Sequence, residues 1–374
     1  MSGYLLAVGT AVPEHVYLQP MVRDMIKEQP SLGRLGRRLV PSAFNASGID
    51  QRHSVIGDYQ PGSGGGLFFD EATGQMLSPS TGVRNEVYVR EATPLFVEAG
   101  RRALDASGLQ PEDVTHVITV SCTGFFAPGP DYMVVRQLGL RPTTGRYHVG
   151  FMGCYAAFPA LKMAQAFCGA DPQAKVLVIC TELCSLHVNP SDDPDSIIAS
   201  TVFADGAAAA VVSARPPRSG QTALRLDAFE TALTPPGDGE KDMAWNIGDQ
   251  GYEMVLSSYV PDIIENHLHG ALGPLLLNLA EELNLIGAEV DHWAVHPGGR
   301  AILDKVQGSL GLSDVQMAPS REVLREYGNM SSATVLFIIA ELLQQVQSGE
   351  RVCAMAFGPG LTVESGLMTA VRGE

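Results

Sequence analysis

The chain has 374 residues, 45% of them hydrophobic and 18% charged, with 40 glycines, which suits two domains or one large duplicated domain with many tight turns. A formal net charge of −16 argues against nucleic acid or an anionic membrane as partner, while a local basic entrance for a phosphate-bearing substrate stays open. The six cysteines form no CxxC pair, so they read as reduced intracellular thiols and support neither a disulfide framework nor a zinc site.

Ser2–Gly9 lacks a basic region and a long apolar core, so it reads as a first strand and not as a signal peptide. No uninterrupted apolar run reaches membrane-spanning length, and a soluble, cytoplasmic protein is expected. Residues 21–40 carry Arg23, Lys27, Arg34, Arg37 and Arg38, a solvated helix face or, more pointedly, a phosphate contact. Ser47–Arg52 turns into a short strand. Residues 57–85 open on the Gly-rich run Gly57–Gly66 and read as a flexible loop, because the strand and helix that frame a phosphate cradle are missing around it.

Helical spacing marks Glu91–Ser107, ended by Gly108. The β-branched strand Val114–Ser121 delivers a Gly/Pro loop, Cys122–Gly129, with two aromatics. Tyr132–Leu138 is a helix, and the strand Tyr147–Phe151 leads through Gly153 to Cys154. Ala156, Ala160 and Ala164 follow at every fourth position, the ridge of a closely packed helix, with Pro159 in its first turn or at a kink. A cysteine where a strand turns into a helix sits in the field of the helix N-terminus, which favours thiolate. An ordinary core cysteine is the alternative on this stretch alone. Lys175–Cys180 and Ala207–Val212 are strands buried on both faces, separated by the helix Ile197–Val202 and the turn Phe203–Gly206.

Composition shifts at residues 214–222, dividing the chain into residues 1–221 and 222–374. The second part reads as a strand (Ala223–Leu233), an irregular Pro/Gly/Asp segment, a long helix (Val260–Leu283), a short strand ending at His296-Pro-Gly-Gly, and a helix (Arg300–Leu310). A helix then runs from about Tyr327 to Gln347, followed by the strand Arg351–Phe357. Gly328-Asn329 repeats the setting of Gly153-Cys154: each precedes a small-residue helix start and then a buried strand. The repeat suggests a duplicated α/β half with two helices back to back, bringing Cys154 and Asn329 together across a pseudo-dyad.

A cysteine nucleophile needs an imidazole to keep it ionised and donors for the oxyanion that forms. Of the nine histidines, His296 stands at a strand end where backbone can approach a ligand. Singly, a structural histidine and an N-cap asparagine explain His296 and Asn329. Jointly, Cys154, His296 and Asn329 at element termini point to catalysis, with a thiol protease as competitor on residue type.

At these residues the sequence resembles the type III polyketide synthases, the chalcone synthase-like branch of the thiolase superfamily, from about Ser107 to Glu364. The motifs are Gly153-Cys154, Phe203-Ala-Asp-Gly-Ala-Ala, Trp293-Ala-Val-His-Pro-Gly-Gly-Arg-Ala-Ile-Leu-Asp304, Glu326-Tyr-Gly-Asn-Met-Ser-Ser-Ala333 and Ala356-Phe-Gly-Pro-Gly-Leu-Thr-Val-Glu364. The last string separates this branch from β-ketoacyl carrier-protein synthase III, a single-step condensing enzyme that uses the same three residue types. The resemblance implies a thiolase-like duplicated five-layer α-β-α-β-α fold with two buried central helices. It implies that Cys154 takes an acyl-CoA starter, that His296 holds it as thiolate, and that His296 and Asn329 stabilise the enolate from malonyl-CoA. An acyl-thioester-binding homologue without activity is the alternative outside catalysis.

Phe203 resembles the family's gatekeeper, Gly358-Pro359-Gly360 the loop shaping the cyclisation cavity, and Ser331 a substrate-side residue. Met254 falls where plant members have a second gate phenylalanine, and Cys184, Leu186 and His187 fall where starter choice is set. These departures suggest a bacterial-type enzyme, and Met254 suggests room for a long acyl starter. Arg34, Arg37 and Arg38 are neighbours of the family's CoA contacts. No cofactor or metal beyond the CoA thioesters is implied. A homodimer is implied, with Phe125–Gly129 reaching the partner's cavity.

Overall fold

A computed structural model describes residues 3–282 and 290–374, with side chains from 277 to 282 left aside. The N-terminal part runs β1 (Gly3–Ala11), β2 (His15–Leu18), α1 (Gln19–Lys27), α2 (Gly36–Ala46), β3 (Gln51–Ser54), β4 (Phe69–Asp70), β5 (Gln75–Met76), α3 (Thr81–Ser107), β6 (His116–Ser121), α4 (Pro130–Leu138), β7 (Gly145–Gly150), α5 (Ala157–Ala170), β8 (Lys175–Leu183), α6 (Pro194–Val202) and β9 (Asp205–Ser213). The remainder runs β10 (Thr222–Leu233), β11 (Met243–Gly248), β12 (Gly251–Leu256), α7 (Val260–Glu282), β13 (His292–Val295), α8 (Arg300–Leu310), α9 (Asp314–Tyr327), α10 (Thr334–Leu342), β14 (Arg351–Gly358) and β15 (Thr362–Arg372).

Nine strands form one sheet in the order β13-β14-β15-β10-β1-β9-β8-β6-β7. The duplication is visible in the pairing. In the sets β6-β8-β9-β1 and β13-β14-β15-β10 the first pair is parallel and the next two are antiparallel. The two sets join through a short antiparallel contact of β1 with β10, Gly3 opposite Leu226 to Leu5 opposite Leu224.

Side-chain alternation explains the layers, because successive residues of a strand face opposite sides. Val176, Val178 and Cys180 of β8 and Val352, Ala354 and Ala356 of β14 share one buried cluster with α5 and α10. Leu177 and Ile179, one residue out of phase, pack with α3. Cys353, Met355 and Phe357 pack with α7, α8 and α9. The order is therefore helix, sheet, the central pair α5 and α10, sheet, helix. Strands covered on both faces must be apolar throughout, hence the unbroken hydrophobic runs.

Several expectations shift. The helix expected from Glu91 starts at Thr81, where the Ser80 hydroxyl accepts from the Val83 N–H at 3.4 Å. Its first turns are polar in sequence yet bury Arg84, Val87 and Tyr88. The Gly-rich loop is tied down, not open: the Gly62 and Gly64 N–H groups each donate to a Glu71 carboxylate oxygen at 2.6 Å. The chain's own carboxylate fills the cradle an outside anion would need. The segment read as irregular holds the hairpin β11–β12, and α9 was not anticipated. α10 begins at Thr334 after a 3-10 turn and ends at Leu342, short of Gln347. α5 begins at Ala157, so Pro159 lies in its first turn, where a missing N–H costs nothing. The expected helix end Leu283 lies outside the described residues.

β1 approaches α3 so closely that a Cβ on Gly9 would lie 2.7 Å from the Ala99 carbonyl and clash with the Ala103 N–H. We expect Gly9→Ala to lose about 2–3 kcal/mol in urea unfolding, an overpacking cost that backbone neighbours cannot relieve. Gly270→Ala, in α7 with nothing within 4 Å of the new Cβ, should be neutral or gain up to about 1 kcal/mol. Equal effects at the two positions would contradict the packing described.

Candidate active site

The site is assembled from chain turns. After β7, Phe151 and Gly153 take positive φ, 59° and 83°, reversing the chain ahead of α5. A Cβ on Gly153 would meet Pro359 Cδ at 2.7 Å, so the turn requires glycine twice over. Cys154 follows, three residues before α5, and is 6% exposed. Its Sγ lies 4.0 Å from Asn329 Oδ1. Burial pushes the thiol up to about 11; contacts with Ser331 and Asn329 pull it back, and the buried Glu182 adds to the rise.

Asn329 is set by backbone pairing. Its N–H donates to the Val202 carbonyl at 2.8 Å, and its carbonyl accepts from Ala204 N–H at 2.9 Å, so it lies beside Phe203 as in a parallel ladder. Oδ1 accepts from the Ser331 N–H at 2.9 Å, which leaves the amide NH2 to donate elsewhere.

His296 leaves β13 with its N–H donating to the Met355 carbonyl at 2.9 Å, and Gly298 N–H donates back to its carbonyl. The ring is 1% exposed, and neither Nδ1 nor Nε2 has a partner among the described residues. Burial lowers its pKa to about 3. Burial alone thus favours a neutral thiol and a neutral imidazole over the anticipated ion pair. Cys154, Phe203, Val295 and Phe357 belong to one buried cluster, which draws the ends of β13 and β14 to the cysteine turn.

A cavity of about 470 Å³ is lined by Cys184, His187, Phe203, Trp245, Tyr252 and Met254, among others. Four residues expected on the substrate side therefore meet there. Leu186 does not; it is fully buried on the opposite face with α3. Ser331 has a φ of 46° and packs below the reacting groups, its hydroxyl 3.5 Å from Cys122 Sγ. Gly358 and Pro359 back the cysteine turn: a Cβ on Gly358 would strike the Tyr155 ring and come within 3.6 Å of Cys154 N. Gly360 follows at a φ of 127°, and none of the three lines this cavity.

Arg34, Arg37 and Arg38 line none of the cavities described. The Arg37 guanidinium instead donates to its own segment, to the Leu32 and Gln29 carbonyls. Exposed side chains before and on α2 follow the helix's solvent face, which the charge run alone could not distinguish from an entrance.

Trp245, Tyr252 and Glu182 went unread, the first two around the expected His187. His187 stacks on Tyr252 at 4.1 Å with 8° between planes, and Trp245 meets the pair edge-on. Trp245 Nε1 donates to the Cys122 carbonyl at 2.8 Å. The Tyr252 N–H donates to His187 Nδ1 at 3.0 Å, so Nε2 carries the proton toward the Thr123 carbonyl at 2.8 Å, and burial lowers this histidine to about 3. Glu182, fully buried, accepts from Cys122 N–H, Thr123 Oγ1 and Ser332 Oγ, and burial raises its pKa. A lone acid ending an apolar strand was the available signal for it. A second cavity, about 230 Å³, lies between α2, α6 and the segment after His296.

Among the described residues no group of three acids, histidines or cysteines is placed to hold a metal, and no helix is long and apolar enough to cross a membrane. The profile for the N-terminal domain of chalcone and stilbene synthases matches residues 68–216, and that for the C-terminal domain matches residues 229–372. The alpha-pyrone synthesis polyketide synthase-like Pks18 of Mycobacterium tuberculosis is 33% identical over 296 residues, 77% of this chain and 73% of that protein. The C-terminal type III polyketide synthase domain of Steely1 from Dictyostelium superposes with a TM-score of 0.90 at 28% identity, covering 99% of this chain and 100% of that one. The 1,3,6,8-tetrahydroxynaphthalene synthase of Streptomyces coelicolor A3(2) gives 0.85 at 30% identity, again over 99% and 100%. The fold is thiolase-like, and the chain belongs to the chalcone and stilbene synthase family of type III polyketide synthases, acyltransferases that condense malonyl-CoA.

Proposed function

We propose that Cys154, His296 and Asn329 carry out starter loading and iterative decarboxylative condensation. The observation that carries this reading is a buried thiol 4.0 Å from Asn329 Oδ1, with a fully buried imidazole that has no partner at either nitrogen among the described residues. The Cys154 proton passes to His296, and the thiolate attacks the starter thioester. The C–S bond to CoA breaks, and the CoA thiolate leaves with the imidazolium proton. Malonyl-CoA then places its thioester oxygen against His296 Nε2–H and Asn329 Nδ2–H. Its carbon–carboxyl bond breaks, carbon dioxide leaves, and the electron pair forms an enolate held by those donors. The enolate carbon attacks the acyl carbonyl and releases Cys154 for the next round. Phe203, buried beside Asn329, keeps an apolar face near the departing carboxylate and disfavours its charge.

The flat wall of Trp245, Tyr252 and His187 supports a compact or aromatic starter and a ring product, a pyrone or phenol. Met254 lies opposite Trp245 across the hairpin, and both line the cavity. The substrates are CoA thioesters, with no further cofactor in this reading. A homodimer is supported by the edge strand β7, unpaired on its outer side, with Tyr147 39% exposed and Phe125 in the neighbouring loop 40% exposed.

Incubation with malonyl-CoA and a panel of acyl-CoAs should release carbon dioxide and give multiply extended cyclic products, best with compact starters. A single condensation would indicate the one-step enzyme, and no carbon dioxide an inactive thioester-binding protein. By intact mass, Cys154→Ala should show no acyl adduct. Asn329→Ala should still load the starter but lose roughly 100-fold or more in carbon dioxide release, the scale of one oxyanion donor; loss of loading would instead indicate a folding defect.

His296 also determines the pH at which Cys154 reacts. An imidazolium partner favours thiolate and lowers the thiol's titration, so removing it leaves burial opposed only by the Ser331 and Asn329 contacts and the midpoint rises. In pH profiles of iodoacetamide alkylation, His296→Ala should move the midpoint up by about 1–3 units. An unchanged profile would mean that His296 does not hold the thiolate. Light scattering should give twice the 39.8 kDa chain mass, and a monomer would overturn the dimer.

A further inference from the structure

Among the described residues the hairpin β11–β12 pairs with no other strand, and two strands alone are marginally stable in water. It nevertheless brings Trp245, Tyr252 and Met254 to the wall of the 470 Å³ cavity. Its base is fixed in the core, where Met243 and Leu256 are buried. Farther out, Trp245 Nε1 donates to the Cys122 carbonyl and the Tyr252 N–H to His187. What holds the tip then decides whether the hairpin can swing away from the cavity.

The tip is the turn Gly248–Gly251, and each of its residues gives one backbone group to a partner outside the hairpin. Thr81 takes three of these groups. Its N–H, which as the first residue of α3 has no partner within the helix, donates to the Asp249 carbonyl at 2.9 Å. Its hydroxyl donates to the Gly248 carbonyl and accepts from the Gly251 N–H at 2.8 Å. The remaining group, the Gln250 carbonyl, accepts from the Asn189 amide at 2.8 Å, and Arg84 donates to that amide's oxygen at 2.5 Å. Arg84 is fully buried, and its guanidinium lies 5.5 Å from the centre of the Phe68 ring. Both anchors thus stand in the first turn of α3, directly after the Gly-rich segment. Thr81 itself does not line the cavity.

We propose that Thr81 is a positioning residue for starter choice: by clasping both ends of the turn it holds Trp245 and Tyr252 against the cavity and excludes bulkier acyl groups. The inference rests on the condensing reading above. It adds a residue outside the cavity to those that select the starter. A hydroxyl that donates and accepts at once has no hydrophobic substitute, so Thr81→Val keeps the shape and removes two of the three bonds.

The test compares acetyl-CoA with decanoyl-CoA as starters. In Thr81→Val the ratio of kcat/KM for decanoyl-CoA over acetyl-CoA should rise about tenfold, the scale of two neutral hydrogen bonds. Thr81→Ser keeps the hydroxyl and should return the ratio to its wild-type value. Carbon dioxide release from malonyl-CoA alone, assigned here to His296 and Asn329, should stay within about twofold. Acrylamide quenching should increase in the valine variant, because Trp245 rides on the hairpin while the other tryptophan, Trp293, is 6% exposed. If the wild type takes up no acyl group and releases no carbon dioxide, the condensing reading itself fails. If the wild type is active and the ratio stays unchanged in Thr81→Val, or both starters and carbon dioxide release fall together, the positioning role alone is overturned.

Discussion

The ladder-like pairing of Phe203 with Asn329 is the contact on which the reactive centre depends. It joins the chain leaving α6 to the chain leaving α9 through two backbone hydrogen bonds, from Asn329 N–H to Val202 and from Ala204 N–H to Asn329. A donor amide and an aromatic ring from remote parts of the sequence are thereby fixed side by side. Gly328 makes the contact possible: at a φ of 71° it sits 3.0 Å, by its would-be Cβ, from the same Val202 carbonyl. A second seam, Gly153 against Pro359, does the same for the cysteine turn. Both seams join one duplicated half to the other, so the groups they hold come together only when the halves dock.

Docking also makes the site dry, and dryness has opposing effects. It drives Cys154 and His296 toward neutral forms, each disfavoured as an isolated charge. The same exclusion of water makes any charge formed during reaction respond strongly to a nearby dipole or partner. The compensation is local and consists of polar groups without partners among the described residues, the two imidazole nitrogens of His296, beside the Asn329 amide. Buried donors and acceptors left unmatched are costly unless a ligand completes them. Their concentration around one thiol is what separates this centre from an ordinary core cysteine such as Cys168 or Cys353, which have apolar company.

How much of this could be read beforehand depends on range. The strands of the central sheet were legible because burial on both faces demands continuous apolar runs. The duplication was legible because Gly153-Cys154 and Gly328-Asn329 keep nearly the same spacing to the next buried strand. The hairpin β11–β12 was not, since consecutive residues of β12 (Tyr252–Val255) line a cavity and show no in-and-out alternation. Leu186 was misplaced for a related reason: in a 3-10 turn, neighbours one residue apart do not share a face. His187 therefore reaches the cavity while Leu186 enters the core behind it. A basic run such as Arg34–Arg38 reports charge but carries no direction.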